Sequence, residues 1–247
     1  MRLSPLFKCF GSKWQSARHY PAPVHDHIIE PFAGGAGYSL NHSERQCVIW
    51  EDDPHVFKLW SWLVTEAHAQ DILDIPLNLP AGQDIREVGL SPGQELLLKH
   101  WQRTNNVGSC WTISSWGHLP GQWTANTRAR VAEEVYGVKH WEIRDSVFYL
   151  DTPCTFFLDP PYLHNYRYSR SLPAFDYSAL CRYVSRIHPE SLVIACEAVG
   201  KNGDIPDYLP FVQSHRSITS RRKQTQSHHS NELIYVRQPR SRDESIT

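Results

Sequence analysis

Asp159, Pro160, Pro161 and Tyr162 follow directly on the apolar run Thr155-Phe156-Phe157-Leu158. Two consecutive prolines fix their φ angles and remove two N–H donors, so this corner is stiff and cannot continue a sheet ladder. It would hold the Asp159 carboxylate, the Pro160 carbonyl and the Tyr162 ring in a set arrangement at the exposed end of a strand. Two acceptors beside an aromatic ring suit a planar, amino-bearing ring, the oxygens taking the amino hydrogens while the rings stack. The plain alternative is an Asp-capped Pro-Pro turn with a packed tyrosine.

A second pattern, Glu30-Pro31-Phe32-Ala33-Gly34-Gly35-Ala36-Gly37, closes an earlier strand. Glycines there let a backbone approach a ligand closely and tolerate positive φ. The spacing is not that of a phosphate-cradling GxxxxGK[ST] loop, which disfavours a nucleoside triphosphatase. Glu51, about 20 residues further on, stands where an acid binds ribose hydroxyls in dinucleotide folds. Asp52 is the next candidate, and Asp53 reads as a helix cap.

The elements that must position these groups alternate as in an α/β domain. Strands are expected at 27–30, 47–51, 141–144, 155–159, 192–197 and 232–236. Asp53-Pro54 predicts a helix start with Val56, Leu59, Trp60 and Leu63 on one stripe. Asp176 is expected to cap another helix, with Leu180, Tyr183, Val184 and Ile187 facing inward. Ligands of such a mostly parallel sheet sit at the carboxyl ends of its strands. Between 72 and 126 prolines and glycines break the rhythm. There Ser91-Pro92-Gly93-Gln94 predicts the cap of a short helix through Leu98, and a further helix is expected from Asn126 to Tyr136, ended by Gly137.

The two motifs together resemble the Dam-like DNA adenine-N6 methyltransferases of phages and bacteria. The similarity extends to Phe10-Gly11-Ser12-Lys13-Trp14, Trp141-Glu142-Ile143-Arg144-Asp145-Ser146, Phe175-Asp176-Tyr177 and Val193-Ile194-Ala195-Cys196-Glu197, about two-thirds of the chain in the family's order. It implies a Rossmann-like S-adenosylmethionine-dependent methyltransferase fold, with residues 1–71 and 127–239 as the catalytic, cofactor-binding domain. Residues 72–126 would be an inserted helical and loop-rich target-recognition subdomain, and 240–247 a flexible tail. By position, Phe10 and Lys13 would flank the methionine end of S-adenosylmethionine, with Lys13 facing its carboxylate. Glu30, Phe32, Gly34 and Gly35 would line the cofactor loop, Glu51 would hold the ribose, and Asp145 or Ser146 would lie near the cofactor adenine. Asp159, Pro160 and Tyr162 would form the catalytic base pocket, with Asp159 also bordering the cofactor. The chain departs from the family's usual pattern in carrying Cys9-Phe10 where a Trp or Tyr is common, and Glu51 where Asp is commoner.

The implied activity is site-specific methylation of N6 on an adenine flipped out of double-stranded DNA, because a stacked base cannot reach a buried sulfonium. Restriction-modification, host marking and phage protection are all compatible with it. Cytosine-N4 methylation, RNA adenine methylation and a catalytically silent DNA-binding module are the alternatives, and Asp at the first motif position favours adenine. The implied protein is cytoplasmic and monomeric, and needs neither metal nor membrane.

DNA would have to be held by local patches, since the formal net charge is only −1. From Leu96 to Ala132 there is no Asp or Glu, although 26 acids in 247 residues predict about four in such a window. Lys99, Arg103, Arg128 and Arg130 lie there, interleaved with Trp101, Trp111, Trp116 and Trp123. These suit phosphate contacts and wedging beside a flipped base, but burial competes for large indoles, and at least two of the four are expected in the core. A second acid-free window, Tyr208 to Asn231, carries Arg221, Arg222 and Lys223 and reads as a phosphate-gripping loop between the last two strands or a merely solvated one. His228-His229 lacks a further ligand at metal spacing. The six cysteines form no CxxC pair, so zinc knuckles and disulfide frameworks are unsupported. No apolar run approaches the roughly 20 residues of a membrane span.

Overall fold

The computed structural model describes residues 2–9, 11–102, 111–115, 122–144, 152–160, 182–198, 214–219 and 231–239. In chain order the elements are β1 (His27–Pro31), α1 (Gly37–Asn41), β2 (Gln46–Trp50), α2 (Pro54–Thr65), α3 (Ala69–Leu73), α4 (Pro92–Trp101), α5 (Ala125–Glu134), β3 (Glu142–Arg144), β4 (Thr155–Leu158), β5 (Leu192–Ala198), β6 (Ser214–Thr219) and β7 (Asn231–Arg237). The architecture is mixed α/β with a mostly parallel sheet, compatible with a Rossmann-like fold. The chain divides into two compact units, one of residues 1–17 and 33–146, the other of 18–32 and 147–247. Residues 72–126 fall inside the first of these, together with residues 33–37 of the glycine turn.

In the second unit the strands run in the order β1-β4-β5-β7-β6. β4 lies parallel between β1 and β5, with Ile28 beside Thr155 and Phe157 beside Ile194. All four β4 residues are buried, which is why its sequence is a continuous apolar run rather than an alternation. Thr155, the polar member, uses its Oγ1 to accept Val24 N–H at 3.2 Å. β7 runs antiparallel to both neighbours. β6 corrects part of the reading of 208–231 as a loop. Its residues, Ser-His-Arg-Ser-Ile-Thr, include one aliphatic side chain and so carry no hydrophobic alternation, but backbone pairing with β7 makes them a strand. Arg221, Arg222, Lys223 and the His228-His229 pair lie outside the described residues. In the expected helix near 176–187, residues 182–185 are helical and Val184 and Ile187 are buried; Asp176 and Leu180 lie outside the described residues.

In the first unit β2 and β3 pair in parallel, Val48 beside Glu142. α2 begins as its sequence requires: Asp53 Oδ1 accepts the N–H groups of His55 at 2.9 Å and Val56 at 3.4 Å, and Pro54 occupies the first turn. Its buried face holds Val56, Leu59, Trp60 and Leu63, with Trp62 and Val64 added. Asp53→Ala should lower unfolding free energy by about 1 kcal/mol in urea titration, since two N–H groups lose their acceptor; an unchanged midpoint would contradict the capping role. α4 carries a reciprocal cap, with Gln94 N–H on Ser91 Oγ and Ser91 N–H on Gln94 Oε1. The helix expected over 126–136 ends as α5 at Glu134 and continues as a 3-10 turn, Val135–Val138, that contains Gly137. That glycine serves packing rather than helix termination, because a Cβ there would lie 2.7 Å from Leu3 Cδ1.

Trp101 and Trp123 are buried, as the competition between burial and DNA contact predicts. Trp60 is fully buried against Phe7 and Trp141, with ring centroids 5.1 and 5.8 Å away. Each such indole removes roughly 200 Å² from water, about 5 kcal/mol at 25 cal/mol/Å². Among the described cysteines, Cys47, Cys154 and Cys196 are buried and Cys9 is half-buried, all as free thiols. No helix of the described residues is long and apolar enough to cross a membrane. Nor do the described residues bring together three His, Cys, Asp or Glu side chains that could hold a metal.

Candidate active site

The glycine turn is built where β1 must give way to α1. Three of its residues take left-handed backbone conformations: Phe32 at φ 63°, Gly34 at 49° and Ala36 at 47°. Glycine adopts this region freely, but a bulky side chain such as Phe32 does so at a cost of roughly 1–2 kcal/mol. Backbone strain of this kind persists only where surrounding bonds over-determine it, and it clusters at functional sites. The bonds are present. Ala33 N–H reaches Trp50 O at 3.0 Å, and Ala36 N–H reaches Ala33 O at 2.6 Å.

Within the first unit the turn lies directly against the N-terminal motif. A Cβ at Gly34 would stand 3.3 Å from Cys9 Sγ, and one at Gly35 would stand 3.2 Å from both Cys9 Cβ and Ser12 Oγ. At Gly37 it would meet backbone, with Lys13 C at 2.8 Å and Lys13 N at 2.9 Å. Gly37 is therefore required by the close approach of the Lys13 and Trp14 backbone, while Gly34 and Gly35 sit in tight contact with the Cys9 and Ser12 side chains. Asn41 secures the contact from α1, its Nδ2 donating to Trp14 O at 3.0 Å and Gly37 O at 2.8 Å. Leu3 N–H donates to Leu40 O. Lys13 is largely buried, with its Nζ 3.3 Å from Gly11 O. The two expected cofactor motifs are thus brought together; Phe10, Asp145 and Ser146 lie outside the described residues.

Glu51 stands one residue beyond β2. Its Oε2 accepts Gly34 N–H at 2.5 Å, and its Oε1 accepts the N–H groups of Asp52 at 3.0 Å and Asp53 at 3.1 Å. One carboxylate thereby ties the glycine turn to the start of α2. Burial raises its pKa above the ordinary glutamate value, against the lowering effect of the Asp53 and Gly34 N–H groups. A raised acid binds its proton more tightly folded than unfolded. This group's contribution to stability therefore falls as pH rises from about 4.5 through the raised value. A carbon-detected titration of the Glu51 carboxyl should give a midpoint above 4.5; a midpoint below it would contradict this environment.

In the second unit Asp159 and Pro160 stand immediately past β4, at its carboxyl end. Pro160 is buried and Asp159 half-buried, with Asp159 Oδ1 shielded from solvent. Pro161 and Tyr162 lie outside the described residues. Glu30, the penultimate residue of β1, is 2% exposed. Phe32 follows β1 directly and is half-buried.

Three of the expected DNA-contacting cations, Lys99, Arg128 and Arg130, lie among the described residues and make internal contacts. Lys99 is 0% exposed, its Nζ 3.1 Å from His55 Nδ1 and 4.1 Å from the Trp111 ring centre. This corrects the expectation of a phosphate contact at Lys99, because the aromatic cage and the core take up its ammonium. Arg128 donates to Ile75 O at 3.0 Å. Arg130 pairs with Glu134 at 2.6 Å and donates to Pro5 O at 3.0 Å. Arg103 lies outside the described residues. A cavity of about 630 Å³ opens nearby, lined by Pro76, Leu79, Gln102, Ser114, Trp123 and Thr124 among others.

Trp60 is the site residue that its sequence context concealed. It reads as one member of an apolar stripe, yet its indole N–H donates to Gly34 O at 2.8 Å. Hydrophobic periodicity reports which face is buried and carries no signal for where an N–H points. Compared with known proteins, the chain matches no family model and no curated sequence.

Proposed function

We propose that this chain is an S-adenosylmethionine-dependent DNA methyltransferase that modifies N6 of an extruded adenine. The observation that carries the reading is Asp159-Pro160, the start of Asp-Pro-Pro-Tyr, at the carboxyl end of the buried parallel strand β4. Strand ends of this kind are where open α/β sheets bind their ligands. The strained glycine turn packed on Cys9, Ser12 and Lys13, with Glu51 just past β2, supports a cofactor site of the same fold class.

The residues fit that cofactor. A carboxylate offers about four acceptor positions, so Glu51 retains capacity beyond its three N–H bonds for a ribose hydroxyl. Lys13 would face the cofactor's carboxylate, and Glu30 with Phe32 would border it. When bound, S-adenosylmethionine supplies an electrophilic methyl group on a sulfonium. Asp159 and the Pro160 carbonyl would accept the two amino hydrogens of adenine, drawing N6 toward tetrahedral character and orienting its lone pair. Tyr162 would stack on the flipped ring. These acceptors stabilise positive charge as it develops on nitrogen, and the stiffness of the Pro-Pro corner fixes them beforehand.

Incubation with methyl-labelled cofactor and mixed oligonucleotides, followed by digestion to nucleosides, tests the reading. Labelled N6-methyladenine from DNA is the expected product. Label on cytosine N4, or on RNA alone, would replace the substrate assignment, and no label in any nucleic acid would refute the enzymatic reading.

A further inference from the structure

The backbone of Gly34 is held from two sides. Its N–H donates to Glu51 Oε2 at 2.5 Å, and its carbonyl accepts the Trp60 indole N–H at 2.8 Å. Trp60 is 0% exposed and packed edge-on to Phe7 at 5.1 Å, so the indole cannot follow a moving carbonyl. The Gly34–Gly35 peptide is trans, as are all peptides of the described residues. Gly34 O and Gly35 N–H therefore belong to one plane and point in opposite directions. Holding the oxygen toward Trp60 turns the Gly35 N–H the other way. Ala33 and Ala36 spend their N–H groups on backbone carbonyls, whereas Gly35 N–H has no hydrogen-bond partner among the described residues. Gly35 is also buried, and a buried amide left without an acceptor is costly and rare.

We infer that Trp60 is a positioning residue: by holding the Gly34 carbonyl it aims the Gly35 N–H as a donor to an acceptor oxygen of the bound cofactor. The identity of that ligand rests on the S-adenosylmethionine reading; the orientation of the peptide does not. Trp60 touches neither cofactor nor substrate in this role. It sets the geometry of a group that does.

The test replaces Trp60 by its benzothienyl isostere, which keeps the ring's shape and exchanges N–H for sulfur. Removing this one hydrogen bond should shift the carbon resonance of the Gly34 carbonyl, the group that accepts it, and weaken S-adenosylmethionine binding by about fivefold. Trp141→Phe serves as the comparison, because it loosens the same core without touching the turn. It should lower the thermal midpoint and leave cofactor affinity alone. An unchanged Gly34 carbonyl resonance would overturn the inference whatever the cofactor. A shifted carbonyl resonance with unchanged affinity would overturn the donor role of Gly35, and an equal loss of affinity in Trp141→Phe would reduce Trp60 to a packing residue. A wild-type protein that does not bind S-adenosylmethionine would remove the cofactor reading, while the carbonyl resonance still decides the peptide's orientation.

Discussion

Asp159→Ala is expected to remove methyl transfer while leaving S-adenosylmethionine affinity within a few fold of wild type. Asp159 follows β4 without an intervening residue, and its Oδ1 is shielded from solvent. On the proposed reading, an acceptor preorganised in such surroundings would act on charge that appears only as the N6–methyl bond forms. Loss of one such group costs on the order of a hundred- to a thousandfold in rate in well-studied enzymes. Asp159→Asn should fall between wild type and alanine, since it keeps one carbonyl acceptor but lacks the negative charge. Single-turnover rates with DNA in excess separate the chemical step from binding. Substantial turnover in the alanine variant would contradict the assigned role, and an equal collapse of cofactor binding would reassign Asp159 to the cofactor.

Gly37→Ala is expected to be the most damaging single methyl addition in the glycine turn. The added Cβ would lie 2.8 Å from Lys13 C and 2.9 Å from Lys13 N, and it would press on Trp14 N as well. All three are backbone atoms, so no side-chain rotation relieves the overlap; the N-terminal segment must leave α1. That movement breaks the bonds from Asn41 to Trp14 O and from Leu3 to Leu40 O. A loss of about 3 kcal/mol or more follows from overpacking combined with broken hydrogen bonds. Gly82 provides the contrast. A Cβ there meets nothing within 4 Å, so alanine suffers only from the positive φ of 86°, about 1 kcal/mol. Urea denaturation of the two variants should separate them clearly, and equal midpoints would show that residues 9–14 do not constrain Gly37.

The elements that sequence revealed best were those whose local chemistry agrees with their burial. Asp53-Pro54 caps α2, Ser91 and Gln94 cap α4, and the unbroken apolar run of β4 is buried on both faces. β6 escaped notice because its pairing is made by backbone groups, which every residue carries. Lys99 was misread for a related reason. An acid-free window suggests a basic surface, but composition does not reveal that His55 and Trp111 converge on the ammonium from distant parts of the chain. The glycines of the turn were read as room for a ligand; what the sequence did not reveal is that Cys9, Ser12, Lys13 and Trp14 of the same chain pack against them. Glu51 was legible as an acid at a strand end; its three N–H bonds were not, because they depend on the turn and the start of α2 converging on it.

Sequencing sensitive to base modification, applied to DNA from cells that express this chain and from matched cells that express Asp159→Ala, decides whether the chain methylates adenine. N6-methyladenine is expected at a recurring short sequence in the first sample and not in the second. Identical adenine profiles in the two samples would contradict that activity.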